Sequence, residues 1–258
     1  MTSSQKIIKG FAIGLAVLII ISIVNLIIGI FIGADYFFGK DDTVYNTYKI
    51  EEVDDIDINI GAANLYIKQG EEFKIELPNY MNYEVNHNKL SIKDKGRMRV
   101  KKSYLTIYLP YEKLLEKLYI NGGAGNIEID SLEVNNASFN LGAGNVRIDK
   151  IDAYNKIKVD GGAGDFKIKS GVLNDADIDM GVGNFEITAT LTGRNDIDVG
   201  VGNLSINLVD GLDNYTFDID KGIGNITIDG KNVSKGIIGT GDTLVKIDGG
   251  VGNIKIGR

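Results

Sequence analysis

The 258-residue chain contains no cysteine, no tryptophan, one histidine (His87) and two prolines. Without cysteine there is no disulfide frame, no thiol nucleophile and no cysteine-ligated zinc. One imidazole is too few for a zinc centre of nitrogen and sulfur donors, which takes three or four such ligands. A Ser-His-Asp triad could recruit only His87, and no Gly-x-Ser-x-Gly elbow presents a serine to it. An excess of positive charge is also missing. The 28 bases against 35 acids leave a net charge of −7, so no nucleic-acid partner is expected. Nothing calls for a cofactor. Glycine is abundant instead, at 33 residues without a Gly-X-Y period, which points to repeated turns rather than collagen.

Only one stretch is long and apolar. Residues 10–34 carry no charge, and as a helix at ~1.5 Å per residue they would span roughly 37 Å, enough for a hydrocarbon core of ~30 Å. Lys6 and Lys9 precede the run, Asp35, Lys40, Asp41 and Asp42 follow it, and Tyr36, Phe37 and Phe38 fall where an outer aromatic belt belongs. The positive-inside rule then predicts a cytoplasmic tail (1–9), one transmembrane helix (10–34), a linker (35–50) and an extracytoplasmic domain (51–258) on the plasma membrane. A cleaved signal peptide competes with this reading. It would need an unusually long hydrophobic region and would place Ile32 at the −3 position.

The rest of the chain repeats. A block of Gly-[Ala/Val/Ile]-Gly-[Asn/Asp] followed by apolar-x-Ile begins at Gly123, Gly142, Gly162, Gly181, Gly200, Gly222 and Gly250, with a degenerate copy at Gly61. The steps from Gly123 are 19, 20, 19, 19, 22 and 28 residues. Such a period predicts an all-β solenoid whose coils stack because none can bury its apolar face alone. Apolar residues alternate before the block (Ile157-Lys158-Val159) and after it (Phe185-Glu186-Ile187), the pattern of strands with one wet face. The glycines are read as corners, with positive φ expected at Gly164 and Gly183. The accompanying column of Asn126, Asn145, Asp165, Asn184, Asn203, Asn225 and Asn253, preceded by Asn64, is read as a hydrogen-bonded ladder rather than a ligand site. The sequons at Asn203 and Asn225 are by-products of that column.

Regular repeats are expected over 117–258. The period blurs over 51–116, where the 62 residues between Gly61 and Gly123 could hold three irregular coils. Lys93, Lys95, Arg97, Arg99, Lys101 and Lys102 crowd around Gly96. They read as a solvated hairpin loop or, alternatively, as a patch for an anionic envelope polymer or lipid headgroup.

The order of elements is an early alternating strand, Leu-Thr-Ile-Tyr-Leu-Pro at 105–110, an apolar stretch at 114–120, and then the Gly-x-Gly-Asn coils. In this order the chain resembles the bacterial putative-adhesin domain family over roughly residues 50–258. The resemblance implies a surface-exposed β-solenoid, often membrane-tethered and associated with envelope stress, and carries no active site to transfer. The likeness of Gly122-Gly123-Ala124-Gly125-Asn126 to a calcium-binding nonapeptide fails. The position of the ligand aspartate is apolar here, for example Ile127 and Phe166, and the period is not nine.

Charge is the remaining clue. Residues 175–220 hold ten acids against the single base Arg194. Aligning the repeats places Asp177, Asp196 and Asp218 in one outward column and Asp179, Asp198 and Asp220 in the next, extended by Asp160 and Asp248. Two carboxylates ~4.8 Å apart in water repel by about 0.9 kcal/mol, which a solenoid tolerates. The columns are therefore either a solvated wall or a face for divalent ions or cationic peptides. Three classes of function follow: a non-enzymatic surface module for interaction, adhesion or envelope stress, with envelope polymers, cationic peptides or another surface protein as partners; a self-assembling structural solenoid; and a polysaccharide-active enzyme. The enzyme reading is disfavoured because no base stands among the carboxylates. Oligomeric state is open.

Overall fold

The computed structural model describes residues 43–94 and 103–258, with Val24 alone before them. The predicted tail and transmembrane helix lie outside the described residues, as do Lys95, Arg97, Arg99, Lys101 and Lys102. Among the described residues no helix is long and apolar enough to cross a membrane.

The period-two stretches form strands as expected, and the strands stack into parallel ladders. The ladder before the corners runs Lys89–Asp94, Asp55–Ala62, Leu114–Ala124, the later parts of Ile127–Ala143 and Val146–Ala163, Ala176–Val182, Arg194–Val201, Thr243–Val251 and Tyr215–Ile223. The ladder after the corners runs Tyr104–Pro110, Asn64–Gly70, the early parts of Ile127–Ala143 and Val146–Ala163, Phe166–Ile168, Phe185–Thr192, Leu204–Leu208, Ile254–Gly257 and Ile226–Ile228. Inward residues stack in columns between them. Ile107, Ile67, Ile129, Ile148, Ile168, Ile187, Ile206 and Ile256 form one buried isoleucine stack. Phe166 and Phe185 stack with ring centroids 5.1 Å apart in the neighbouring column. Burying each such side chain contributes roughly 1.5–3 kcal/mol.

Chain order and spatial order part company at both ends. The coil at Gly250 lies between those at Gly200 and Gly222, not beyond them. The cause is local. Asp229 and Gly230 have φ of 48° and 74° and join Ile226–Ile228 to Lys231–Val233 as a two-residue antiparallel hairpin. Gly236–Gly239 likewise runs antiparallel to Tyr215–Ile223. Both outer edges of this coil are thereby filled, so the C-terminal residues occupy its inner edges.

The other end mirrors this arrangement. The Asp55–Ala62 and Asn64–Gly70 coil is covered by the later coil of Lys89–Asp94 and Tyr104–Pro110. That outer coil is closed by antiparallel Met81–Asn86, through a turn at His87 and Asn88 with φ of 48° and 67°, and by Lys74–Pro78. The stretch before Gly123 therefore holds two parallel coils and closing strands rather than three coils. The expected linker also contains a strand, since Tyr45–Lys49 pairs with Lys74–Pro78. Tyr48 and Tyr83 meet at 4.7 Å between ring centroids, one from each of the two outermost strands at this end.

Candidate functional site

Every corner from Asn126 onward makes the same hydrogen bond to its spatial neighbour, whereas Asn64 N–H donates to the backbone oxygen of Ser103. The backbone N–H of Asn126 donates to Asn64 Oδ1 at 3.0 Å, that of Asn145 to Asn126 at 3.1 Å, and that of Asp165 to Asn145 at 3.0 Å. The series continues from Asn184 to Asp165, Asn203 to Asn184, Asn253 to Asn203 and Asn225 to Asn253. The rung asks only for a side-chain acceptor, which is why Asp165 substitutes for asparagine. Gly164 and Gly183 have φ of 137° and 147°, and a Cβ on Gly183 would collide with the carbonyl oxygen of Gly164. Gly123, Gly142, Gly162, Gly181, Gly200, Gly250 and Gly222 form a second rail, each lying where a Cβ would run into the backbone of the previous coil. These columns are structural.

The outward aspartates lie beside the glycine rail. In register, Asp160, Asp179, Asp198, Asp248 and Asp220 are consecutive, one from each of five adjacent coils. Asp248 sits inside this column rather than at its end. In the parallel column the sequence alignment is corrected: Lys158, Asp177, Asp196, Lys246 and Asp218 follow one another, so Lys246 separates Asp196 from Asp218. The inserted C-terminal coil thus adds one acid to one column and one base to the other.

Glycines carry no side chain to shield the neighbouring carboxylates, and a trough of about 550 Å³ results. It is lined by Asp179, Asp198, Asp248 and Asp220, the glycines at 181, 200, 250 and 222, and Lys221 and Lys235. Cations neutralise part of it. Lys246 Nζ lies 2.6 Å from Asp248 and 3.7 Å from Asp196, Lys235 lies 2.9 Å from Asp220, and Lys158 lies 3.4 Å from Asp160. In the parallel column Lys156 pairs with Asp177 at 2.8 Å. Among the described residues Asp179 and Asp198 have no ion-pair partner. Asp196, Asp198 and Asp248 each offer a carboxylate oxygen within 4.8 Å of the others. All three come from one face, short of the six to eight oxygens that surround a tightly held calcium ion.

The electrostatics follow this pattern. Partial burial, then the carboxylates of Asp248 and Asp196, push Asp198 above the ordinary carboxylate value. The hydrogen bond from Lys156 pulls Asp177 below it, and that from Lys235 does the same for Asp220. The hydrogen bond to Asp248 and the nearby charge of Asp196 hold Lys246 above the usual lysine value. Lys221 differs. Burial lowers it, and its Nζ is out of contact with water with no hydrogen-bond partner among the described residues.

Lys93 is exposed near the end of Lys89–Asp94, on a strand rather than in a loop. The pairing bases Lys156, Lys158, Lys235 and Lys246 were missed by counting charge in a single sequence window. The signals that could have found Lys235 and Lys246 were the 28-residue step to Gly250 and the Asp229-Gly230 dipeptide.

A family model matches residues 53–238, which takes in the parallel coils and corner rungs up to the one at Gly222 and leaves out the C-terminal coil at 243–257. The chain belongs to the Toastrack DUF4097 family. No curated protein matches the chain. Among solved structures, a putative adhesin from Bacteroides fragilis is similar at 19% identity and a TM-score of 0.42, with 84% of this Toastrack chain and 98% of the other covered. A putative cell adhesion protein from Clostridium sporogenes is similar at 17% identity and a TM-score of 0.36, covering 84% and 99%. A putative lipid binding protein from Parabacteroides distasonis is similar at 16% identity and a TM-score of 0.39, covering 84% and 98%.

Proposed function

We propose that this Toastrack chain is a non-enzymatic interaction module, tethered to the plasma membrane through residues 10–34 with its solenoid outside, and that its aspartate trough docks cationic peptide segments or divalent ions. The observation that carries the reading is the column of five consecutive aspartates beside a rail of glycines. A trough open along its length suits an extended chain of positive charges better than a caged ion.

The enzyme reading has less support. Lys246 does stand among the carboxylates, but Asp248 and Asp196 hold it as an ammonium, so it is poorly placed to accept a proton. Open-ended stacking of chains is disfavoured as well, because antiparallel strands cover both terminal coils.

Titration of the chain with an oligolysine peptide at low and high salt tests the proposal. Binding of micromolar or weaker affinity is expected at 0.1 M salt and should be lost near 1 M, as the screening length falls from ~10 to ~3 Å. The triple change Asp179→Asn, Asp198→Asn and Asp248→Asn should reduce it at least tenfold. Undiminished binding by that variant would reject the trough.

A further inference from the structure

We propose that the C-terminal coil, residues 243–257, exchanges between chains, so that the interaction partner of its slot is a second copy of this protein. The coil at 215–228 has no ladder pairing with the coil at 194–208 among the described residues; it is joined to the stack through Thr243–Val251 and Ile254–Gly257. Its outer edges are taken by Lys231–Val233, across a two-residue turn, and by Gly236–Gly239, whose partners lie 17 to 23 residues earlier. Both pairings close shorter loops than the 50 residues that separate Arg194 from its partner Leu244, and shorter loops close first. The inner edges of two coils therefore face an unfilled slot until residues 243–257 enter it.

Nothing in the slot distinguishes the chain's own segment from that of another copy. The insert makes generic rungs, Asn253 N–H to Asn203 Oδ1 and Asn225 N–H to Asn253 Oδ1, each 3.0 Å. A reciprocal insertion preserves every one of them, which is what makes exchange of identical elements a low-cost route to dimers.

The hinge favours it. The chain crosses from the outer to the inner edge of Tyr215–Ile223 in the three residues between Gly239 and Thr243. Gly239 has φ 91°, and Gly241 is wedged where a Cβ would collide with the backbone of Asn214 and Tyr215. Gly241 N–H donates to Tyr215 O at 3.2 Å, and Thr216 Oγ1 donates to Gly241 O at 2.7 Å. Short, crowded hinges invite exchange, because the open form relaxes them.

The absence of native cysteine makes the test clean. Ser205 and Lys255 are register partners. Full-length Ser205→Cys and Lys255→Cys chains, co-expressed and oxidised, should give a disulfide-linked dimer joining the two variants. Its yield should be about fivefold or more above that of either variant alone, and inserting four Gly/Ser residues after Asp242 should cut it severalfold. A mixed dimer at background level, while the Ser205→Cys/Lys255→Cys double variant links within one chain, would overturn the exchange. Failure of the double variant to link would overturn the slot itself.

Discussion

Asn253 donates its backbone N–H to the side-chain oxygen of Asn203, 3.0 Å away in space and fifty residues earlier in the chain. Asn225, nearer in sequence, donates to Asn253 from the other side at 3.0 Å. The last coil is therefore held by the same rungs as the coils from Asn126 to Asn203, and it alone joins the coil at 194–208 to the coil at 215–228.

Substitution of Gly183 should separate corners from ordinary strand positions. With φ at 147° and the Gly164 carbonyl oxygen where a Cβ would go, Gly183→Ala should lower stability by roughly 2–4 kcal/mol, the sum of backbone strain and displaced backbone. Gly257 has nothing within 4 Å of a Cβ and no positive φ, so Gly257→Ala should stay within about 0.5 kcal/mol. Urea melts of the two variants provide the comparison; equal effects would contradict the corner geometry.

The rungs make a second prediction. Asn126 Oδ1 accepts from Asn145 N–H, and an aspartate oxygen serves equally well, as Asp165 shows in its own coil. Asn126→Asp should therefore be nearly neutral at pH 7, whereas Asn126→Leu should cost about 1 kcal/mol by leaving a corner N–H without its acceptor. Thermal unfolding of the pair checks it, and equal losses would show that the amide donor matters too.

A third prediction concerns pH. Asp198 lies above the ordinary carboxylate value because of partial burial and the charges of Asp248, Asp196 and Asp179, with Lys246 acting in the opposite sense. Its folded form binds the proton more tightly than its unfolded form, so its contribution to stability is present below the unfolded value and falls as pH rises through the folded one. Asp198→Asn should accordingly stabilise the protein at pH 7, by less than about 1 kcal/mol because water and salt screen the site. The advantage should vanish below the ordinary carboxylate value. Asp177 and Asp220, pulled down by Lys156 and Lys235, act in the other direction, losing stability as pH falls through their lowered values. Melting temperatures of the parent and Asp198→Asn across pH 3–8 would reveal the crossover. A constant difference over that range would exclude a titrating Asp198.

The parallel coils, their corners and the asparagine column were legible because each coil repeats one local rule, with glycine where a Cβ collides and an acceptor one coil away. Asp198 could be placed on the outward face from alternation alone. Its neighbour Asp179 could be placed there too, but the position of Asp248 directly beside Asp198 and of Lys246 beside Asp196 could not, because both reach that face from a segment separated by hairpins. Nor does any period announce the closing strands: Tyr45–Lys49 pairs with residues about 30 positions away in an antiparallel register that the corner motif does not encode. The repeat reports on the middle of the stack, whereas the ends depend on two-residue turns such as Asp229-Gly230.

The interleaved ends bear on how such a protein could change length. A coil appended after residue 258 would find the inner edges of the slot already paired on both sides, and one added before Tyr45 would meet strands running antiparallel. Duplication within residues 123–208, where each coil stacks directly on its predecessor, meets neither obstacle. The stack can lengthen from its middle, carrying its sealed ends apart unchanged.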